Sequence, residues 1–494
     1  MMLLPKYPSL YQVNTRVWLT ELSQKLGKRA TLDDIPEEDL DRFRELGLDW
    51  IWMLSVWKTS ELSRKVSREN REWRVSFEKT LDDLKEEDIG GSGFAIAEYT
   101  VNPKIGGEAA LKRFRKRLGE RGIRLMLDFV PNHMGLDHPW VNEHRDYFIE
   151  GGPGDDKNNP IFYTRVDISG GSAVMAYGRD PYFPGWPDTL QLDYSNPDTV
   201  AAMAGVLAEI SKKCDGVRCD MAMLILPDVF TRTWGREARS FWPETIKSIR
   251  EKHPDFYFMA EVYWDLEWTM QQLGFNYAYD KRLYDRLLEG HARPVREHFL
   301  AGLDYQEKLA RFLENHDEPR AAKEFSLHQH AAAAIITYLS PGLRFFHQGQ
   351  FEGRTRHISP HLVRAPKEPV NEDIRKFYRA FLEVLQQPVF REGDWSLLRN
   401  VPAWEGNGSH YDFVGFCWEK TGQNTVLVVV NFSDHYSQCY IYVPLPDHKG
   451  DTTVRFKDLL GPALYDRNAG ELSTRGLYLD MPGWAFHVFE ISYI

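Results

Sequence analysis

The sequence predicts an α/β fold: a (β/α)8 TIM barrel with a small inserted domain after the third strand and a C-terminal antiparallel β-sandwich. Three observations predict it. Short apolar runs alternate with longer amphipathic stretches over most of the 494 residues. A Gly-, Pro- and Asp-rich stretch from about residue 134 to 195 interrupts that alternation. After about residue 388 the texture changes to short alternating runs separated by turn residues.

The strand-like runs come in order as "YQVNTRVWL" (11–19), "DWIWML" (49–54), "IRLMLDFV" (123–130), "GVRCD" (216–220), "FYFMAEV" (256–262), "ARFLENH" (310–316) and "GLRFFHQG" (342–349). A weaker candidate, "FNYAYD" (275–280), completes the count. Runs this continuously apolar are buried on both faces, as in a parallel sheet covered by helices, and eight of them close a barrel better than they fill an open sheet. Helical stretches separate them, such as "EEDLDRFRELG", "GEAALKRFRKRLGERG" and "DTVAAMAGVLAEISKK". The last follows "SNP", with Ser195 or Asn196 as cap and Pro197 in the first turn. Residues 57–98 read as a long polar connection. Residues 134–195 hold no long helical pattern, and a structureless loop of that length is uncommon unless functional, so they read as an inserted domain. "FVGFCWE", "NTVLVVVNF", "SQCYIYVPL", "TTVRFKDLL" and "WAFHVFEI" read as strands of a sandwich. The expected boundaries are 1–133 and 196–387 for the barrel, 134–195 for the insert and 388–494 for the sandwich.

Composition narrows the function classes. A net charge of −11 argues against a nucleic-acid partner, because phosphate backbones call for clustered Lys and Arg. No window approaches the roughly 18 consecutive apolar residues of a membrane span, so no membrane partner is expected. The cysteines, Cys214, Cys219, Cys417 and Cys439, have no metal-like spacing and read as free thiols in a reducing compartment. With no secretory pattern at the start, a cytoplasmic location is expected. The aromatic share of 13% suits flat faces offered to a ligand, and equally suits large cores filled with rings. Oligomeric state is left open.

Chemistry in such a barrel sits at the C-terminal ends of the strands. The third run ends in "LDFVPNH", with Asp128, Asn132 and His133; the fourth in Arg218 and Asp220; the fifth in Glu261. The seventh ends in "FLENHDE", with Asn315, His316 and Asp317. One acidic strand end reads as half of a structural salt bridge; four together, with two Asn-His pairs, read as a site. Carboxylates converging between aromatic walls are what glycosidic bond cleavage needs, one ionised as nucleophile and one held protonated. Arg218 points to the same face as Asp220, and a cation there is expected to depress the pKa of Asp220. Glu261 stands among apolar neighbours, which favours its neutral form.

These motifs resemble the α-amylase superfamily of retaining α-glycosidases and transglycosylases. "DFVPNH" is similar to its D-x-x-x-N-H, "GVRCD" to its G-x-R-x-D, "FMAEV" to its strand-five Glu and "ENHDEPR" to its N-H-D. "GSGFAIAEYTVNPKIGG" resembles the segment that supplies a stacking aromatic. The ordered set spans about residues 10 to 350. The resemblance implies Asp220 as nucleophile, Glu261 as acid and then base, and Asp317 as the third carboxylate gripping sugar hydroxyls. It implies that Arg218 orients Asp220, that His133 and His316 bind hydroxyls, and that Phe94 stands where the family has a stacking Tyr. The expected partner is a small-molecule carbohydrate.

Two departures matter. Met223 and Leu224 stand where relatives place a Lys-His pair. They indicate either an altered leaving-group side, suited to a short or unusual α-glucoside, or simple packing beneath the strand. Many relatives also hold Ca²⁺ with the Asn of "NH" and an Asp of the insert. Here Asn132 is kept but Gln191 falls where the Asp would be, and Asp193 is the carboxylate left to substitute. Calcium favours carboxylate oxygens, so no required metal and no cofactor is expected. The competing functions are a transglycosylase or phosphorylase of the same superfamily and, from another class, a non-catalytic carbohydrate-binding protein.

Overall fold

Eight parallel strands close on themselves in sequence order to form the centre of the molecule. They are β1 (Ser9–Asn14), β2 (Trp50–Leu54), β3 (Arg124–Phe129), β4 (Gly216–Cys219), β5 (Tyr257–Ala260), β6 (Tyr277–Tyr279), β7 (Leu309–Arg311) and β8 (Leu343–His347). This architecture comes from a computed structural model that describes residues 4–445 and 452–494; residues 1–3 and 446–451, at the edges of the expected barrel and within the expected sandwich, lie outside the described residues.

The two-residue period of a strand sorts the side chains. Leu10, Trp50, Trp52, Met126, Met259, Tyr277, Tyr279, Ala310, Leu343 and Phe345 fill the barrel's interior. The alternate residues, such as Ile51, Leu125, Leu127, Val217, Phe258 and Ala278, pack outward beneath the helices. A barrel of this size is a packed core and not a pore. Gly216 opens β4 because a Cβ there would meet Tyr257 O at 2.9 Å and the ring of Trp50 at 3.2 Å.

The first run ends sooner than the sequence predicts. β1 stops at Asn14, whose side chain accepts from Val17 N–H and starts α1 (Thr15–Leu26). β7 likewise stops at Arg311, and residues 312–317 are an irregular rim. The connection after β2 is more than a polar loop: it holds α2 (Glu61–Glu69) and α3 (Arg71–Thr80) and a short antiparallel pairing of Trp57–Thr59 with Ile96–Val101. Between β3 and β4, His133–Gly135 pairs with Thr189–Gln191, and Tyr163–Ile168 with Gly171–Ala176. α4 (Pro197–Ser211) follows with Asn196 as its cap.

C-terminal to the barrel stand an antiparallel six-stranded sheet and a three-stranded one. Val414, Phe416, Trp418, Val426, Val428 and Val430 of the larger sheet share one apolar core with the barrel helices. Trp418 Nε1 donates to Leu339 O at 2.7 Å, and Arg344 of β8 donates to Phe390 O at 2.6 Å. Among the described residues no helix is long and apolar enough to cross a membrane.

Candidate active site

The strand period that buries Met126, Met259 and Phe345 inside the barrel also points Asp128, Arg218, Asp220 and Glu261 inward, one or two layers higher. Register makes them neighbours. Arg218 lies opposite Asp128 on β3 and Met259 on β5. The ladder runs on past the strands, with Asp220 N–H donating to Phe129 O at 2.8 Å and Glu261 N–H to Cys219 O at 3.0 Å.

Arg218 is fully buried and organises the group. Its Nη1 donates to Asp220 Oδ1 at 2.7 Å and its Nη2 to Glu261 Oε2 at 2.6 Å, while Asp128 Oδ1 lies 3.7 Å away. The two terminal nitrogens of one planar guanidinium thus hold two different carboxylates. The faces of Trp52, Phe94 and Tyr279 surround it at 5.2, 5.0 and 5.9 Å. Burial works against the charge of Arg218, but Glu261, Tyr279, Asp220 and Asp128 outweigh it and hold the group firmly protonated.

Desolvation dominates the acids. The pKa of Asp220 is raised by burial, which Arg218 only partly offsets. This corrects the expectation that the neighbouring cation depresses it: the same guanidinium is divided among several acids. Glu261 is raised for the same reason, with Asp220 and Asp317 adding to the rise. Asp317 is raised too, by desolvation first, but its side chain is 42% exposed at the mouth, so water moderates the rise. Three carboxyls around one cation hold a shared proton more tightly than isolated acids do. Asp128, bonded by Trp52 Nε1 at 3.1 Å and Ser55 N–H at 3.3 Å, is pushed up to about 7 by burial.

Asp220, Glu261 and Asp317 line one cavity of about 360 Å³ together with Ser92, Phe94, His133, Trp186, Asp188, Met221, Tyr263 and His361. Of the residues singled out from sequence, Phe94 and His133 therefore reach the cavity wall, and Arg218 lies beneath it. His133 packs its ring 5.1 Å from Trp186, and burial lowers its pKa to about 3, so it is a neutral hydrogen-bonding group. His316 stands behind the wall. Its Nδ1 accepts from Gln12 Nε2 at 2.8 Å, which leaves the proton on Nε2, 3.1 Å from Asp317 Oδ2. That nitrogen faces Asp317 without making a hydrogen bond to it, and burial keeps the ring neutral.

Two contacts to Glu261 have no signature in the motifs. Met221 N–H donates to Glu261 Oε2 at 2.8 Å, from a left-handed backbone with φ of 41°. Tyr263 donates its hydroxyl to Glu261 Oε1 at 2.8 Å. Glu261 is thus not in a purely apolar setting: Tyr263 reads as an apolar neighbour in sequence but presents a donor. Ser55, Trp264 and Asp265 also take positive φ, at the ends of β2 and β5, so backbone strain gathers on this rim. Met223 and Leu224 are buried in the apolar core and do not line the cavity, which selects packing over an altered leaving-group side; of the residues just after Asp220, Met221 is the one at the cavity wall.

The residues at the position where relatives bind calcium do not fit the ion. Gln191 Nε2 reaches Asn132 Oδ1, Asn132 O and Leu192 O, each at 3.0 Å. Asp193 is paired with Arg236, and its Oδ1 accepts from Ser195 N–H at 2.9 Å and from the Ser195 hydroxyl at 2.6 Å. Oxygens that a cation would need already accept from protein N–H and O–H groups.

A profile of the family described as "Alpha amylase, catalytic domain" matches residues 31–380. Alpha-amylase 3 of Dictyoglomus thermophilum is 24% identical over 314 residues, 58% of this chain and 59% of that protein. An alpha-glucosidase of Apis mellifera is 27% identical over 210 residues, 39% of this chain and 31% of its own length. The chain thus spans less than two thirds of these curated relatives. Among solved structures, a noncanonic maltogenic alpha-amylase AmyB from Thermotoga neapolitana superposes with a TM-score of 0.68 at 19% identity over 98% of both chains, a likeness of fold.

Proposed function

Because the chain belongs to the α-amylase family, we propose that it is a retaining glycoside hydrolase of α-glucosidic bonds, acting on a short oligosaccharide or small α-glucoside. The observation that carries this reading is the single guanidinium of Arg218 bonded to both Asp220 and Glu261 beneath a cavity. Two carboxyls gathered on one cation at the cavity floor suit the nucleophile and the acid of a double displacement.

Asp220 attacks the anomeric carbon as the glycosidic bond breaks, and Glu261 gives its proton to the leaving oxygen. Oε1 of Glu261, the oxygen outside the guanidinium's bonds, is the one that passes the proton. Arg218 keeps Asp220 oriented and charged when the proton resides on Glu261. Water then enters, Glu261 takes its proton, and the ester to Asp220 is cleaved with the α-configuration restored. Asp317, at the cavity wall, accepts from sugar hydroxyls. A cavity of about 360 Å³ is near the lower end for ligand sites, which favours short substrates.

The test uses a nitrophenyl α-glucoside and maltooligosaccharides, with product configuration followed by NMR. The wild type should release α-configured sugar, and Asp220→Asn and Glu261→Gln should each lower kcat by about a thousandfold or more. A β-configured first product, or activity retained in Asp220→Asn, overturns the reading. Adding phosphate or excess maltose separates hydrolysis from transfer to either acceptor.

A further inference from the structure

Asp188 lines the same cavity and takes no part in the chemistry described above. It is only 3% exposed, and its Oδ2 is buried with no hydrogen-bond partner among the described residues. Burial pushes its carboxyl up to about 7, opposed only by its own backbone amide, with no other charged group contributing. A buried carboxyl without a partner is costly and persists where something else completes it.

Its position is fixed by local chemistry. "WPDT", residues 186–189, forms a tight turn in which Thr189 N–H donates to Trp186 O at 3.0 Å. Pro187 sits where a turn prefers proline and Asp188 takes the next corner. Ser63 Oγ donates to Asp188 O at 2.6 Å, and Thr189–Gln191 is paired with His133–Gly135. The turn thus presents a flat ring, Trp186, and a carboxyl, Asp188, on a rigid support beside His133. A ring and a hydrogen-bond acceptor side by side match the two faces of a sugar, its C–H surface and its hydroxyl edge.

We propose that Asp188 is a specificity-determining residue whose carboxyl accepts hydrogen bonds from hydroxyls of the bound sugar, away from the bond being cut. The inference rests on the glycosidase reading, and its test separates the two. Kinetics with a nitrophenyl α-maltoside and its monodeoxy analogues read the contact directly. In the wild type, removing the recognised hydroxyl should lower kcat/KM by about tenfold or more. Asp188→Ala should lose a similar factor on the parent maltoside and nothing further on that analogue, mostly through KM.

A purely structural role moves different observables. Removing an unpartnered buried carboxyl relieves strain on the free protein, so Asp188→Asn should melt at or above the wild-type Tm. A lower Tm with equal losses on every analogue overturns the proposal, as does an unchanged ranking of analogues in Asp188→Ala. Calorimetric titration of maltose into Glu261→Gln, with and without Asp188→Ala, measures the contact without turnover. Weaker binding by about tenfold supports it even if the wild type cleaves no maltoside, in which case only the glycosidase reading fails. Equal binding, or no binding of maltose at all, overturns it.

Discussion

Arg218 is the residue on which the site turns, since it touches Asp220 and Glu261 and lies near Asp128 while being wholly buried. Removing one partner of a buried ionic group leaves the others uncompensated, a loss of about 3–5 kcal/mol. Protonation follows from the same crowding. Asp220 and Glu261 are both raised by burial, so both limbs of the kcat/KM profile should lie above the ordinary carboxylate range. With the roles proposed for them, activity should fall at acid pH as Asp220 takes up its proton, and at alkaline pH as Glu261 loses its own. Tyr263 donates to Glu261 and so favours its ionised form. Tyr263→Phe should move the alkaline limb upward with little change in Tm, which a pH–rate series checks. Asp220 and Glu261 were legible in the sequence, because each follows a strand by the two-residue period that points it inward; Asp317, on the irregular rim after β7, follows no such period. Tyr263 was not, since an aromatic beside Glu261 looks like packing until its hydroxyl is located. The Met221 contact is made by a main-chain amide, which no residue type announces.

At the level of elements, Gln191 is one of several side chains that tie the segment between β3 and β4 to the barrel. Gln191 spans Asn132 and Leu192 while its strand pairs with His133–Gly135. Gln191→Leu leaves buried acceptors without donors and should cost about 2–4 kcal/mol in thermal or urea unfolding. Because the amide holds these oxygens, treatment with EDTA should leave both Tm and activity unchanged; a loss restored by Ca²⁺ would contradict this. Sequence pointed to Gln191 as a replaced ligand, but its three acceptors come from folding. The "WPDT" turn escaped notice for a related reason: it lies where neither the helical nor the strand period operates, so nothing marks which side chains face inward. Strand ends were misjudged where capping intervened, as at Asn14, whose side chain begins a helix inside an apparently continuous apolar run.

For the whole molecule, the barrel order was readable because eight apolar runs with helices between them leave few other arrangements. What the runs do not disclose is how the C-terminal sheet is joined on. Its inner face and the barrel helices form one apolar core, and Trp418 and Arg344 bond across the seam. A chain ending at residue 387 should therefore expose that core and aggregate or melt well below the full chain, and the intact protein should unfold in a single calorimetric transition. The interior of the barrel carries a different consequence. Trp50, Trp52, Tyr279 and Phe345 fill it, so among the described residues there is no back door. Whatever is released after the first bond breaks must depart through the mouth by which the next molecule arrives. On the proposed double displacement, traffic at that doorway would decide whether water or a waiting alcohol collects the sugar.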